Sequence, residues 1–181
     1  NDLAQANIDL FDNIDSEYIV INSAGCGAHL KSYSKYREAE LSSKIVDLSE
    51  FLARLEMKQM SNGKLLKVTY DEPCHLLHGQ GVSAEPKSLL SQIPGVELVP
   101  LRGAEHCCGS AGSYSLTETE MSLELLERKM DAIVESGANI LVTANPGCQI
   151  QLAWGVRRRG IEIEVLHLAQ LLDRVYSSQP D

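Results

Sequence analysis

Six short, mostly apolar runs punctuate the chain: Tyr18–Ile21, Ile45–Val46, Leu65–Tyr70, Val96–Leu101, Ile140–Val142 and Ile161–Leu166. Runs that are apolar at nearly every position, instead of every second one, read as strands covered on both faces. The segments between them carry helical spacing. Strands that alternate with helices join as parallel neighbours, because a parallel pair needs a long crossover and a helix supplies it. The expected fold class is therefore α/β, with parallel sheets flanked by helices.

The helices bring their own start and stop signals. Residues 3–14 place Leu3, Leu10, Phe11 and Ile14 on one face. A polar helix through His29, Leu30, Tyr33 and Tyr36 follows the turn Asn22–Gly27. Asp47 with Glu50 reads as a capping box, and so does Thr117 with Glu120. The second of these opens the clearest helix, with Leu123, Leu126, Met130, Ile133 and Val134 on one face and Gly137 at its end. Pro86 suits the opening of a helix at Lys87–Ile93, while Gln151–Arg159 and Leu168–Tyr176 complete the set. The polar stretch Met57–Lys64, containing Asn62-Gly63, reads as a linker.

At 181 residues and 44% apolar content, the chain can form one domain or two small ones. No run approaches the roughly 18 to 20 apolar residues that span a bilayer, and the residues given open on no basic-then-apolar stretch, so neither a membrane span nor an export leader is expected. The formal net charge of -9 argues against a nucleic-acid partner. Arg157-Arg158-Arg159, just before Gly160, offsets a helix dipole or docks an acidic partner. Five cysteines, two of them adjacent, do not suit a disulfide framework, so a reducing, cytoplasmic setting with thiolates as ligands is expected.

Each cysteine lies a few residues past an expected strand end and close to an expected helix start, where open parallel sheets bind their ligands. His106-Cys107-Cys108-Gly109-Ser110-Ala111-Gly112 is the densest such stretch, and Cys74 and Cys148 flank it at a distance in Pro73-Cys74-His75 and Asn145-Pro146-Gly147-Cys148. Together Cys74, Cys107, Cys108 and Cys148 form a candidate metal set. The residues alone leave open an iron–sulfur cluster, a zinc ion, a thiol–disulfide site or inert buried cysteines. Adjacent cysteines reach a single tetrahedral ion awkwardly, whereas a multi-iron cluster offers each its own iron. His75 and His106 adjoin the cysteines as direct ligands or as donors to a sulfur or carbonyl, and Gly109 brings backbone close.

The chain also repeats itself. Displaced by 122 residues, Ile19-Val20 falls on Leu141-Val142, Gly25-Cys26 on Gly147-Cys148, and Ala6–Phe11 on Arg128–Ile133. With a two-residue gap, Val46-Asp47-Leu48 falls on Leu166-His167-Leu168. Residues 1–60 are thus expected to be the C-terminal half of a first unit and residues 61–181 a complete second one. On this reading the chain is a C-terminal fragment, and Cys26 belongs to a second site completed by sequence outside it.

Cys74, Cys107-Cys108-Gly109 and Cys148 resemble the cysteine-rich (CCG) domain found in heterodisulfide reductases, anaerobic glycerol-3-phosphate dehydrogenases and lactate-utilisation proteins. Ser23–Gly27, Leu30–Tyr33, Asp71–Leu76, His78–Gln80, Cys107–Tyr114 and Asn145–Cys148 are similar to the iron–sulfur subunits of bacterial glycolate oxidases. The resemblance implies a duplicated CCG domain whose first copy is incomplete, with a [4Fe-4S] cluster on Cys74, Cys107, Cys108 and Cys148. It further implies an electron-transfer subunit of a glycolate dehydrogenase-type complex. Electrons come from a partner that carries FAD and oxidises a 2-hydroxy acid, and pass towards the respiratory chain at the inner face of the cell membrane. The implied alternatives are a disulfide-reducing subunit of the heterodisulfide reductase type and a non-redox, zinc-bearing docking module. The family pattern ends in Cys-x-x-Cys, and Asn145 stands where the first of these cysteines is expected, as a weak ligand, an amide donor to the cluster or a turn residue before Pro146.

Overall fold

The computed structural model describes residues 2–35, 40–56 and 65–177, so the expected linker Met57–Lys64 and Tyr36 lie outside the described residues. The chain begins with α1 (Asp2–Asp12), β1 (Ile19–Ile21), α2 (Ala24–Lys31) and a 3-10 turn at Ser32–Lys35. Next come α3 (Glu40–Lys44), β2 (Ile45–Asp47) and α4 (Leu48–Ala53). The remainder holds β3 (Leu66–Asp71), a π-helical turn at His75–Gln80, α5 (Ala84–Ser91) and β4 (Val96–Val99), followed by α6 (Tyr114–Thr117) and α7 (Thr119–Ser136). It closes with β5 (Ile140–Thr143), α8 (Pro146–Arg159), β6 (Glu164–His167) and α9 (Leu168–Ser177). No helix among the described residues is long and apolar enough to cross a membrane.

Two parallel sheets result: a pair, β1-β2, and a four-stranded sheet in the order β4-β3-β5-β6. Helices cover the larger sheet on both faces. Val68, Tyr70, Ile140, Val142 and Leu166 pack against Leu89 and Leu90 of α5 and Leu168, Leu171 and Leu172 of α9. On the other face Leu141 meets Leu126, Met130 and Ile133 of α7 and Leu152 and Val156 of α8, and Cys108 and Cys148 close that layer. The smaller sheet has its own cluster, Ala4, Ile8, Tyr33, Leu41 and Ile45. It docks on the larger unit through Ala24, which is fully buried in the main core and accepts from Gln80 Nε2 at 2.9 Å.

The repeat read from the sequence is present in the strand pairing. Ile19 faces Ile45 and Ile21 faces Asp47. Their counterparts Leu141 and Thr143 face Val165 and His167 in the same register.

Several element boundaries differ from the sequence expectation. Helices α2 and α8 begin at Ala24 and Pro146, so the turns expected to hold Cys26 and Cys148 are the first turns of helices. The capping box Asp47/Glu50 forms, with Ser49 N donating to Asp47 Oδ1 at 2.8 Å. The one expected at Thr117/Glu120 does not, because the short helix α6 precedes and Thr119 Oγ1 bonds back to Ser115 O at 3.2 Å. On α1 the buried stripe is Ala4–Ile8, with Leu3 and Leu10 exposed, since Tyr33, Leu41 and Ile45 lie under that stripe. On α7 Val134 is exposed and Lys129 is buried instead.

That lysine anchors the long loop between β4 and α6. Its ammonium donates to Gly103 O at 3.0 Å and Ala104 O at 2.8 Å. It also forms an ion pair with Asp71 Oδ1 at 2.9 Å, in which both side chains are 1% exposed. The Asp71 contact lies off the line of a hydrogen bond, so it acts as charge compensation. Thr143 Oγ1 donates to the other carboxylate oxygen at 2.9 Å. Burial still pushes the Asp71 carboxyl above its usual range, with Lys129 and Thr143 acting in the opposite direction.

Breaking such a pair from one side leaves a buried charge, at a cost of about 3–5 kcal/mol. Lys129→Met is therefore expected to lower the unfolding free energy of the metal-free chain, measured in urea, by that amount. Because the folded-state pKa of Asp71 lies above the unfolded one, its contribution is most favourable at low pH and declines as pH rises between the two values. The loss in Lys129→Met should thus be larger at pH 8 than at pH 5. Adding Asp71→Asn should recover part of it, as followed by unfolding curves at both pH values.

Candidate metal centre

Three loops converge beyond the carboxyl ends of β3, β4 and β5. Strand β3 ends at Asp71, and Pro73 O accepts from Leu76 N at 2.8 Å and Leu77 N at 3.0 Å, which winds the chain into the π-helical turn immediately after Cys74. The loop after β4 is tied to this one by Glu72 N, which donates to Ala104 O at 3.1 Å. Farther along, Gly109 adopts φ +88°, and a Cβ there would stand 2.4 Å from Ser122 O. Only glycine fits that close approach. Ser122 Oγ then donates to Gly109 O at 2.8 Å and fixes the turn behind the paired cysteines. Cys148 sits in the first turn of α8, behind Pro146, where unpaired backbone N–H groups and the helix dipole favour an anionic sulfur.

These supports bring together all four cysteines of the expected set. Cys108 Sγ lies 3.0 Å from Cys148 Sγ, and both are buried. Cys107 and Cys74 are half-buried at the mouth. The neighbouring Cys108 and Cys74 sulfurs, together with Gly109 N donating to the Cys107 sulfur at 3.3 Å, hold the Cys107 pKa below its usual range. The converse holds for its neighbours. Cys74 is pushed up by its bond to Cys107 and by burial, and Cys108 by its bonds to Cys107 and Cys148 and by burial. All five cysteines are free.

The remaining expected residues divide. His75 is exposed, with Nδ1 3.6 Å from Cys74 Sγ. His106 turns away, its Nε2 lying 3.6 Å from Glu105 Oε1 while its ring packs over Gly103. Asn145 donates from Nδ2 to Cys148 Sγ at 3.4 Å. Cys26 is exposed on α2 and takes no part in the sulfur contacts that join the other four. Among the described residues no three Cys, His, Asp or Glu side chains form a ready shell for a single ion.

Asp71, Lys129 and Ser122 were not expected at the site. Lys129 was detectable as the lone cation within the apolar stripe of α7, and Asp71 as the carboxylate that ends the apolar strand β3. Nothing local in the sequence distinguished Ser122, because its role depends on how closely α7 approaches Gly109.

The sequence matches the Cysteine-rich domain (CCG) family over residues 1–31 and 68–153. It is 38% identical, over 94% of its length, to the probable glycolate oxidase iron-sulfur subunit of Bacillus subtilis. A subunit of the CoM/CoB fumarate reductase of Methanothermobacter marburgensis is 35% identical over 97% of the chain. Lactate utilization protein A of Shouchella clausii is 34% identical over 88% of it. The chain spans 41%, 35% and 71% of these relatives' own lengths. With the matched segments enclosing Cys26 and all four converged cysteines, the chain belongs to the cysteine-rich (CCG) domain family.

Proposed function

We propose that this chain is part of an iron–sulfur electron-transfer subunit, in which Cys74, Cys107, Cys108 and Cys148 hold a [4Fe-4S] cluster. The convergence of four sulfurs from three separate loops carries this reading. Their surroundings suit an anionic group: Gly109 N and Asn145 Nδ2 point at sulfur, α8 presents its N-terminus, and Lys129 lies beneath the loop. Such a cluster, when bound, supplies a carrier for single electrons. The protein's own part is to hold the sulfurs, to exclude water behind Cys108 and Cys148 with Leu101, Leu126 and Leu152, and to direct N–H groups at the charge.

Residues 1–60 form, on this reading, the C-terminal half of a first cysteine-rich unit, and residues 61–181 the complete second. Cys26 then serves a second centre, because it occupies in α2 the place that Cys148 occupies in α8. The relatives' names include both glycolate and lactate, which are 2-hydroxy acids. The proposed electron donor is accordingly an FAD-containing subunit that oxidises a 2-hydroxy acid, and the proposed setting is the cytoplasmic face of the membrane.

Anaerobic reconstitution with ferrous iron and sulfide is expected to give a broad visible absorption that bleaches on reduction. Cys108→Ser should abolish it, and an unchanged spectrum in that variant would remove Cys108 from the ligand set. Uptake of zinc in place of iron by the parent chain would overturn the electron-carrier reading altogether.

Gly109→Ala keeps every sulfur but forces a methyl group towards Ser122 O at a positive φ. It is expected to lower iron incorporation several-fold while leaving far-ultraviolet circular dichroism unchanged. Iron uptake equal to that of the parent chain would show that the Gly109 turn does not position the cysteine pair.

A further inference from the structure

Asn145 occupies the N-cap of α8 yet makes no side-chain bond to its own helix backbone. Its amide is turned outward instead. Oδ1 accepts from Gly25 N at 3.3 Å, and Nδ2 donates to Cys148 Sγ at 3.4 Å. A backbone N–H can only donate, which fixes the amide oxygen on the Gly25 side and directs the amino group to the sulfur.

Gly25 lies in the first turn of α2, where backbone N–H groups lack an intrahelical acceptor. The N-cap of α2, Ser23, makes no side-chain cap bond. Asn145 supplies what Ser23 does not. Ser23 and Asn145 are equivalent positions of the two repeats, as are Gly25 and Gly147, so the capping residue of one unit serves the helix of the other. The approach is close: a Cβ on Gly147 would come within 3.3 Å of Asn145 Nδ2, and one on Gly25 would stand 3.9 Å from Oδ1. Gln80 adds a second tie from the same side, donating to Ala24 O at 2.9 Å. The residue after Gly25 is Cys26.

We infer that Asn145 is a positioning residue that clamps the Cys26-bearing helix onto the Cys148 sulfur and, through its N–H···S bond, sets the reduction potential of the group held there. The potential half of this inference rests on the iron–sulfur reading above. Reduction adds negative charge that the ligand sulfurs share, and a donor to sulfur stabilises the more negative state and raises the potential. Because the same amide is held by Gly25 N, any displacement of α2 tilts the donor. The potential of the Cys148 site therefore depends on how the first unit is seated.

Two variants separate the two bonds. Asn145→Leu removes both at similar size, whereas Asn145→Asp keeps an acceptor for Gly25 N but, when ionised, has no donor for the sulfur. The midpoint is read on the iron-loaded fraction of each anaerobically reconstituted variant. Both should show a reduction equilibrium shifted at least tenfold towards the oxidised form, which is about 59 mV for one electron. Amide exchange at Gly25, measured by NMR on the metal-free chain, should speed up at least tenfold in Asn145→Leu and stay slow in Asn145→Asp. Unchanged midpoints in both variants overturn the potential-setting role, and unchanged Gly25 exchange in Asn145→Leu overturns the clamp. Should the parent chain take up no iron, the iron–sulfur reading fails with the potential role that rests on it, and Gly25 exchange alone still decides the clamp.

Discussion

In the strand order β4-β3-β5-β6, the chain leaves β3 for β4 on one side and later returns to β5 on the other. At that reversal the loops after β3 and β5 turn opposite ways, and their carboxyl ends open a crevice that neither loop fills. Cys74 follows β3, Cys148 follows β5, and the paired cysteines follow β4. Sulfurs separated by many residues in sequence thereby face one crevice. The parallel pairing of Asp71 with Thr143 fixes how far each of the two central strands reaches before its cysteine loop begins.

Collecting sulfurs in a crevice creates an electrostatic problem, because thiolates so close together repel and lose hydration. The structure distributes the compensation over several weak sources. Gly109 N donates to the Cys107 sulfur, and Cys148 faces a helix N-terminus and takes the Asn145 amide. Lys129 adds a full positive charge from below, although Asp71 takes up part of it. Asp71 opposes the site electrostatically, since its negative charge disfavours thiolates nearby. Its place in the structure follows from Lys129: that ammonium is needed to satisfy Gly103 O and Ala104 O in the loop, and a buried ammonium needs a counter-charge.

The fold class and the four converging cysteines were legible because both rest on short-range patterns. Near-continuous apolar strands, helical stripes and cysteines just past strand ends each signal locally, and the repeat even fixed the register of β1 on β2 relative to β5 on β6. What could not be read depended on contacts across the sheet. The capping box at Thr117/Glu120 had the right letters, but Thr117 closes α6 while Glu120 lies in the first turn of α7. On α1, leucine at positions 3 and 10 suggested a buried stripe, yet the face chosen was the one that meets Tyr33 and Ile45. His106 adjoins Cys107 in sequence and still points to Glu105, because the turn closed by His106 N on Gly103 O rotates it away from the sulfurs.

The two sheets share a repeat pattern, and among the described residues only the larger one shows a reversal of strand order. Strand β5 is flanked by β3 and β6, whereas its counterpart β1 pairs with β2 alone among the described residues. Val20, the counterpart of the buried Val142, is accordingly 38% exposed. A reversal of strand order needs a strand on each side, so β1-β2 shows none among the described residues, and the helix that follows β1 presents Cys26 without sulfur partners among them. The first turn of α2 nonetheless keeps the form of its counterpart, and its free N–H is satisfied from outside the unit by Asn145. The smaller sheet buries a core cluster of its own, Ala4, Ile8, Tyr33, Leu41 and Ile45. It docks on the larger unit through Ala24, Leu52 and the π-helical turn, and that docking places the Cys26 helix against the N-terminus of α8.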